Sequence, residues 1–218
     1  MKRNDYLRQL IAQGEHQSLD FKYEISDARK IARTLVAFAN TKGGKILIGV
    51  RDNGSIAGMR TEEEIYMVEA AATRHCSPPI VCEVSLWHSE GKKVLEVRVS
   101  EGENKPYFAP DEENQPRLYI RCGDENKVAN AVEEAILRMQ SSASESKLKF
   151  THSEHLIFSY LKEHKVITLN TVSRIARLTS REAAETLALL IIHGFIVANT
   201  KEKPVSYSMA ESPGSVSS

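Results

Sequence analysis

No long apolar run occurs in the 218-residue chain. The longest stretches, such as Ile46-Leu47-Ile48-Gly49-Val50, cover only a few residues. A helix crossing a bilayer needs about 20, so no membrane partner is expected. The first residues, Met1 to Arg8, lack the apolar centre of a secretory signal. An excess of one charge is missing too. Lys and Arg total 29 against 29 Asp and Glu, which excludes the strongly basic field of a histone-like protein and leaves room for a local basic face. Cysteine is scarce: Cys76, Cys82 and Cys122 stand apart with no CxxC pair. That usage fits reduced thiols in the cytoplasm, not a disulfide framework. The closest histidine pair, His152-x-x-His155, has no further Cys or His at zinc-ligand spacing. It reads as a surface feature at the start of a helix.

Composition breaks once. Gln140-Ser141-Ser142-Ala143-Ser144-Glu145-Ser146-Lys147 is small, polar and without periodicity, a linker signature. The sequence therefore predicts a first domain over 1–140, a linker over 141–150, a second domain over 151–210 and a disordered tail over 211–218. Up to residue 140 there are 20 basic and 22 acidic side chains, and after it 9 and 7. The difference is too small to assign a partner.

The first domain mixes both periodicities. Leu19, Phe21 and Tyr23 alternate with charged residues, as in a strand with one buried and one charged face. Ala28, Ile31, Ala32, Leu35, Val36 and Ala39 follow helical spacing up to Gly43-Gly44. Lys45 to Arg51 is a short buried strand, and Asn53-Gly54 a hairpin turn with a return along Ser55 to Met59. Thr61 with Glu64 suggests a capping box opening a helix to His75. Strands follow over Ile80–Trp87, Val94–Ser100 and Arg117–Cys122, then a helix over Asn126–Met139. The second domain reads as helices from Ser153, over Leu169–Ala176 and from Ser180 to His193, then a hairpin around Lys201-Glu202-Lys203-Pro204. That is the winged helix-turn-helix order. The fold class is thus α+β: a mixed β-sheet with flanking helices, plus a small C-terminal winged-helix domain.

Three acids attract attention. Glu15 and Asp20 flank the first strand, and Asp52 ends the Gly49-Val50-Arg51 strand. On neighbouring strands they would converge, and close carboxylates favour Mg²⁺ or Mn²⁺ between them. The alternative is three solvated charges. Asn40-Thr41-Lys42-Gly43-Gly44-Lys45 is not a P-loop: Ala39 stands where its first glycine belongs and Ile46 where Ser or Thr belongs. It also runs from helix to strand, so ATP binding by this motif is excluded. Lys22, Lys42, Lys45, Arg51, Lys105 and Arg121 could hold phosphates. Tyr107, beside Phe108, could stack on unpaired bases or pack in the core.

Four segments together resemble the Schlafen-type AlbA domain. Glu15-His16-Gln17-Ser18-Leu19-Asp20-Phe21-Lys22 is similar to its acidic opening, Ala37-Phe38-Ala39-Asn40-Thr41-Lys42-Gly43-Gly44 to its "A-F-A-N-T-x-G-G" signature, Gly49-Val50-Arg51-Asp52-Asn53-Gly54 to "G-V-x-D-x-G", and Tyr119-Ile120-Arg121-Cys122-Gly123 to "Y-x-R-x-G". They cover roughly residues 10–140. The resemblance implies a nucleic-acid-binding domain, often followed by a helix-turn-helix in transcriptional regulators. It also implies an alternative, because animal members include divalent-metal-dependent endoribonucleases whose catalytic acids fall on Glu15, Asp20 and Asp52 here.

Two positions depart from the pattern, Asp20 for the longer Glu and His16 for Ser. In the second domain Arg174, Arg177 and Arg181 are the candidate DNA contacts, because the helix from Ser180 is otherwise acidic and alanine-rich. The reading is a cytoplasmic DNA- or RNA-binding regulator, expected to form a homodimer and to need no cofactor. Mg²⁺ or Mn²⁺ enters only under the endoribonuclease alternative. A non-catalytic interaction scaffold is the third reading.

Overall fold

The computed structural model describes residues 3–141, 150–200 and 202–211. The chain divides into two units, residues 1–129 and 130–218. In the first, the elements run α1 (Arg3–Ile11), β1 (Leu19–Lys22), α2 (Ala28–Asn40), β2 (Gly44–Ile48), α3 (Glu63–Arg74), β3 (Cys82–Ser89), β4 (Lys92–Val99), β5 (Phe108–Pro110), β6 (Pro116–Cys122) and β7 (Glu125–Val128). A mixed sheet has the order β1-β2-β4-β3, with only β1 and β2 parallel. A smaller antiparallel sheet joins β5, β6 and β7.

α2 is the centre of this unit. Its stripe of Ile31, Ala32, Leu35, Val36, Phe38 and Ala39 is buried against Ile46, Ile48, Leu95 and Val97 of the large sheet, Val68 and Ala71 of α3, and Ala109 and Tyr119 of the small sheet. Asp27 caps its start, its carboxylate accepting from Arg29 N at 2.9 Å. Its end passes straight into β2 through Gly43, at φ +72°. A Cβ there would lie 2.6 Å from Val99 O and 2.9 Å from Glu101 N. Only glycine allows so close a passage of β2 by the end of β4.

The opposite face of the large sheet is covered by α1, whose Leu7 and Leu10 pack with Leu19, Phe21, Leu47, Val50 and Val94. β1 is consequently buried on both faces, Leu19, Asp20 and Phe21 alike. The expected charged, solvated face of this strand is therefore a buried one. α1 itself has no counterpart in the sequence reading, because Tyr6, Leu7, Leu10 and Ile11 sit among polar residues without a capping residue ahead of them.

Three local expectations change. The Asn53-Gly54 turn forms, with Arg51 N bonded to Ser55 O at 3.0 Å, but the return strand shrinks to one bridge between Val50 and Ile56. Thr61 and Glu64 form no capping box. α3 has no side-chain cap, and the buried Glu64 carboxylate accepts from Ile25 N and Arg60 N, both at 2.9 Å. Residues 125–128 pair with β6 instead of opening a helix.

In the second unit the elements are α4 (Ala131–Ser141), α5 (His152–His164), β8 (Val166–Thr168), α6 (Leu169–Ala176), α7 (Ser180–Ile192), β9 (Ile196–Asn199) and β10 (Ser206–Met209). The sheet is antiparallel in the order β8-β10-β9. Thr151 with Glu154 and Thr179 with Glu182 form capping boxes at α5 and α7. Val132 and Ala135 of α4 share a core with Ala184, Leu187 and Ala188 of α7. α4 therefore groups with the second unit, and the division falls ten residues before the compositional break. The expected linker and tail lie outside the described residues, save Ser141, Phe150 and Glu211 at their margins, as does Lys201 of the final turn. Among the described residues, no helix is long and apolar enough to cross a membrane.

Candidate functional site

The three acids are placed in three different surroundings. Glu15 lies ahead of β1, an edge strand, and its Oε1 accepts from the outward amide of Phe21 at 2.9 Å. Asp20 is buried at the middle of the β1–β2 ladder. Its Oδ1 lies 3.0 Å from Arg121 Nη1. Its Oδ2 lies 2.6 Å from Lys22 Nζ, a charge contact without hydrogen-bond alignment. Asp52 stands exposed in the turn beyond β2. Among the described residues no three His, Cys, Asp or Glu side chains are grouped to hold a metal ion. The donor set also does not fit Mg²⁺ or Mn²⁺, since the one buried carboxylate is already neutralised by two cations.

Several of the cations expected to face phosphate have internal duties. Arg121 is buried, stacked with its guanidinium carbon 5.2 Å from the Phe38 ring centroid. It also donates to Asn126 Oδ1 at 3.0 Å and to the His16 and Leu19 carbonyls at 3.3 Å. Gln17 clamps the same strand end, bonding Arg121 O at 2.8 Å and Gly123 N at 2.9 Å. Lys105 pairs with Glu101 and reaches Thr41 O at 3.3 Å. Tyr107 is buried and offers no face to a base; its N–H and C=O are both held by Asn40 at 2.8 Å. Lys22 is held by Asp20 and Phe21 O. Burial thus withdraws Arg121 and Tyr107 from a phosphate or base, while Lys105 and Lys22 are held in ion pairs, Lys22 with its side chain 35% exposed.

Arg51 is exposed, its guanidinium 4.8 Å from the Tyr23 ring centroid. Arg60 lies 5.3 Å from the same ring and donates to the Tyr23 hydroxyl at 3.1 Å. That bond, with the charges of Arg60 and Arg51, holds the phenol below its ordinary pKa. In the second unit Arg174 and Arg177 are exposed and, among the described residues, belong to no ion pair within 4.0 Å. Arg181 pairs with Glu185 at 2.9 Å and, with Ser180, Glu134 and Arg138, lines a cleft of about 550 Å³ between α4 and α7.

Lys42 and Lys45 come together, with partners that the sequence does not mark as phosphate contacts. They line an open cleft of about 250 Å³, where β2 begins and β4 ends, with His16, Ser18, Arg98 and Ser100. Arg98 escapes sequence reading because only the register of β2 against β4 brings it opposite Lys45.

The thiols give a direct check on burial. Desolvation pushes Cys76 up to about 12 and Cys82 to about 11, while Cys122 is exposed. At pH 8 the first two stay protonated, and the thiolate is the nucleophile. Native protein is expected to react with a thiol reagent rapidly at Cys122 alone, the other two only after denaturant. Three equally fast native thiols would contradict the packing.

No curated protein matches the chain. Among solved structures, the DIP2311 protein from Corynebacterium diphtheriae is similar at 20% identity and a TM-score of 0.50. The match covers 79% of this chain and 32% of that one, so the chain spans about a third of its length. The N-terminal domain of a RecG-related protein from Nitrosomonas europaea is similar at 19% identity and a TM-score of 0.37, covering 70% of this chain and 96% of that one. The first likeness concerns the fold alone, and the second is too distant to bear on it. The family model of the Schlafen, AlbA_2 domain matches residues 15–130. That span covers more than half of the chain and all four sequence motifs, and the chain belongs to the Schlafen AlbA_2 family.

Proposed function

We propose that the protein is a nucleic-acid-binding regulator, an AlbA-type unit followed by a DNA-binding winged helix-turn-helix. The observation that carries the reading is the second unit's topology. Helix, strand, two helices and a hairpin run in the order α5-β8-α6-α7-β9-β10, with β10 central in the sheet. That order supports the winged-helix reading, and membership of the AlbA_2 family supports the same direction. The outward start of α7 carries Arg181, Glu182 and Glu185, a poor set for base edges. Arg174 and Arg177, exposed and without an ion pair among the described residues, suit phosphates, which position a protein without reading sequence. Two-fold pairing belongs to this reading. It is supported by β3, an edge strand with Val84 and Leu86 exposed. The setting is the cytoplasm, in keeping with three free thiols.

Fluorescence anisotropy at two salt concentrations, with single- and double-stranded probes, tests the reading. Affinity should fall steeply as salt rises, because bound Lys and Arg release counterions. Arg174→Ala with Arg177→Ala should weaken duplex binding about tenfold and reduce the salt slope by about two. No binding to any probe at low salt would remove the proposal.

A further inference from the structure

The cleft at the start of β2 has an arrangement that a sheet does not adopt for its own stability. Register places Lys45 of β2 directly opposite Arg98 of β4, and like charges facing each other across a ladder are destabilising. Arg98 is partly compensated by Glu96 at 3.4 Å and Glu83 at 3.6 Å. Among the described residues Lys45 meets no carboxylate within 4.0 Å. Its Nζ donates to the neutral Tyr6 hydroxyl at 3.2 Å, and that hydroxyl donates to Glu96 at 2.8 Å. Lys42, exposed at the rim, likewise has no ion pair among the described residues. The two lysines and Arg98 therefore line a cleft whose field is positive. His16 and Ser18, 3.4 Å apart from Nδ1 to Oγ, and Ser100 add hydrogen-bonding groups to the same lining.

We propose that this cleft is a phosphate-binding site, holding one phosphate group of a nucleic-acid strand between Lys42, Lys45 and Arg98. The inference rests on the nucleic-acid reading above and gives the AlbA-type unit its own contact. Size selects the ligand. About 250 Å³ falls below the range of roughly 300–1,000 Å³ that encloses a whole small ligand. A phosphate entering from a strand laid over the rim suits an open cleft of this size. The same chemistry would accept free inorganic phosphate, so the experiment separates the two sources.

The full chain is titrated at low salt with inorganic phosphate and, separately, with a single-stranded deoxyoligonucleotide. Amide shifts are followed by ¹H–¹⁵N NMR. The emission of Trp87, the chain's one tryptophan, gives a second readout, because its ring lies 4.8 Å from Tyr6. Both ligands should move the amides of Ser18, Gly43, Gly44, Lys45 and Ser100 saturably and change Trp87 emission. Lys42→Ala and Lys45→Met should each weaken strand binding several-fold. The double variant should lower the salt slope by about one, since both cations serve one phosphate, while thermal melting stays near wild type.

An unchanged slope and affinity in the folded double variant, or no movement of these amides with either ligand, would overturn the site. A strand that binds and moves only other amides removes the cleft and leaves the nucleic-acid reading standing. Phosphate that moves these amides when no strand binds at low salt removes that reading and retains the site, with free phosphate as its source.

Discussion

Asp20→Asn is expected to destabilise residues 1–129 by about 3–5 kcal/mol, the usual cost of leaving one member of a buried ion pair without its partner. Both side chains of the Asp20–Arg121 pair are almost fully enclosed, at 3% and 1% exposure. An amide in place of the carboxylate keeps an acceptor for Arg121 but removes its countercharge. Arg121→Met should cost a similar amount, since it leaves the buried Asp20 carboxylate without its guanidinium and removes one of the two donors to each of the His16 and Leu19 carbonyls. Thermal melting of each variant, expected to fall by about 10–20 °C, is the measurement. A melting point within a degree or two of wild type would show that the pair holds little together. Activity lost on substituting Asp20 would therefore report a damaged fold, whatever chemistry was being assayed.

Asn40→Ala should cost about 3 kcal/mol, from three buried hydrogen bonds lost together. The Asn40 amide donates to Tyr107 O at 2.8 Å and to Tyr119 O at 2.9 Å, and its carbonyl accepts from Tyr107 N at 2.8 Å. One side chain at the end of α2 thus ties β6 and the chain entering β5 to the central helix. Asn40→Asp keeps the shape and should fare no better, because two of the three bonds need a donor. Denaturant unfolding of both variants checks this. Recovery of wild-type stability in Asn40→Asp would mean that shape alone matters at this position.

The elements with strong local periodicity were legible in the sequence. The apolar spacing from Ile31 to Ala39 locates α2, and the Leu169–Ala176 span of α6 is read without error. What escaped depends on pairing between distant segments. β5 and β8 are three residues each, too short for any period to show, and β7 is recognisable only beside β6. The site is the least legible part of the sequence. Acidic and basic residues in the motifs look alike whether they face solvent or each other. Asp20 and Arg121, 101 positions apart, neutralise one another only once β1 and β6 meet beneath α2. Glu64 looked like a helix cap and serves as an anchor for two amides from other segments. In the sequence the cleft lysines stand as isolated charges, and only the register of three strands groups them with Arg98, His16 and Ser18.

The family match begins at residue 15, yet the sheet's second face is closed by α1, residues 3–11. A gene fragment cut to the match would encode a protein with Phe21, Leu47, Val50 and Val94 uncovered. An exposed apolar sheet surface of that kind adheres to its own copies. Expressed alone, such a fragment would collect in the insoluble fraction, and the loss would look like a failure of the domain when only its lid had been left behind. Extending the fragment by the fourteen preceding residues restores Leu7 and Leu10 to that face.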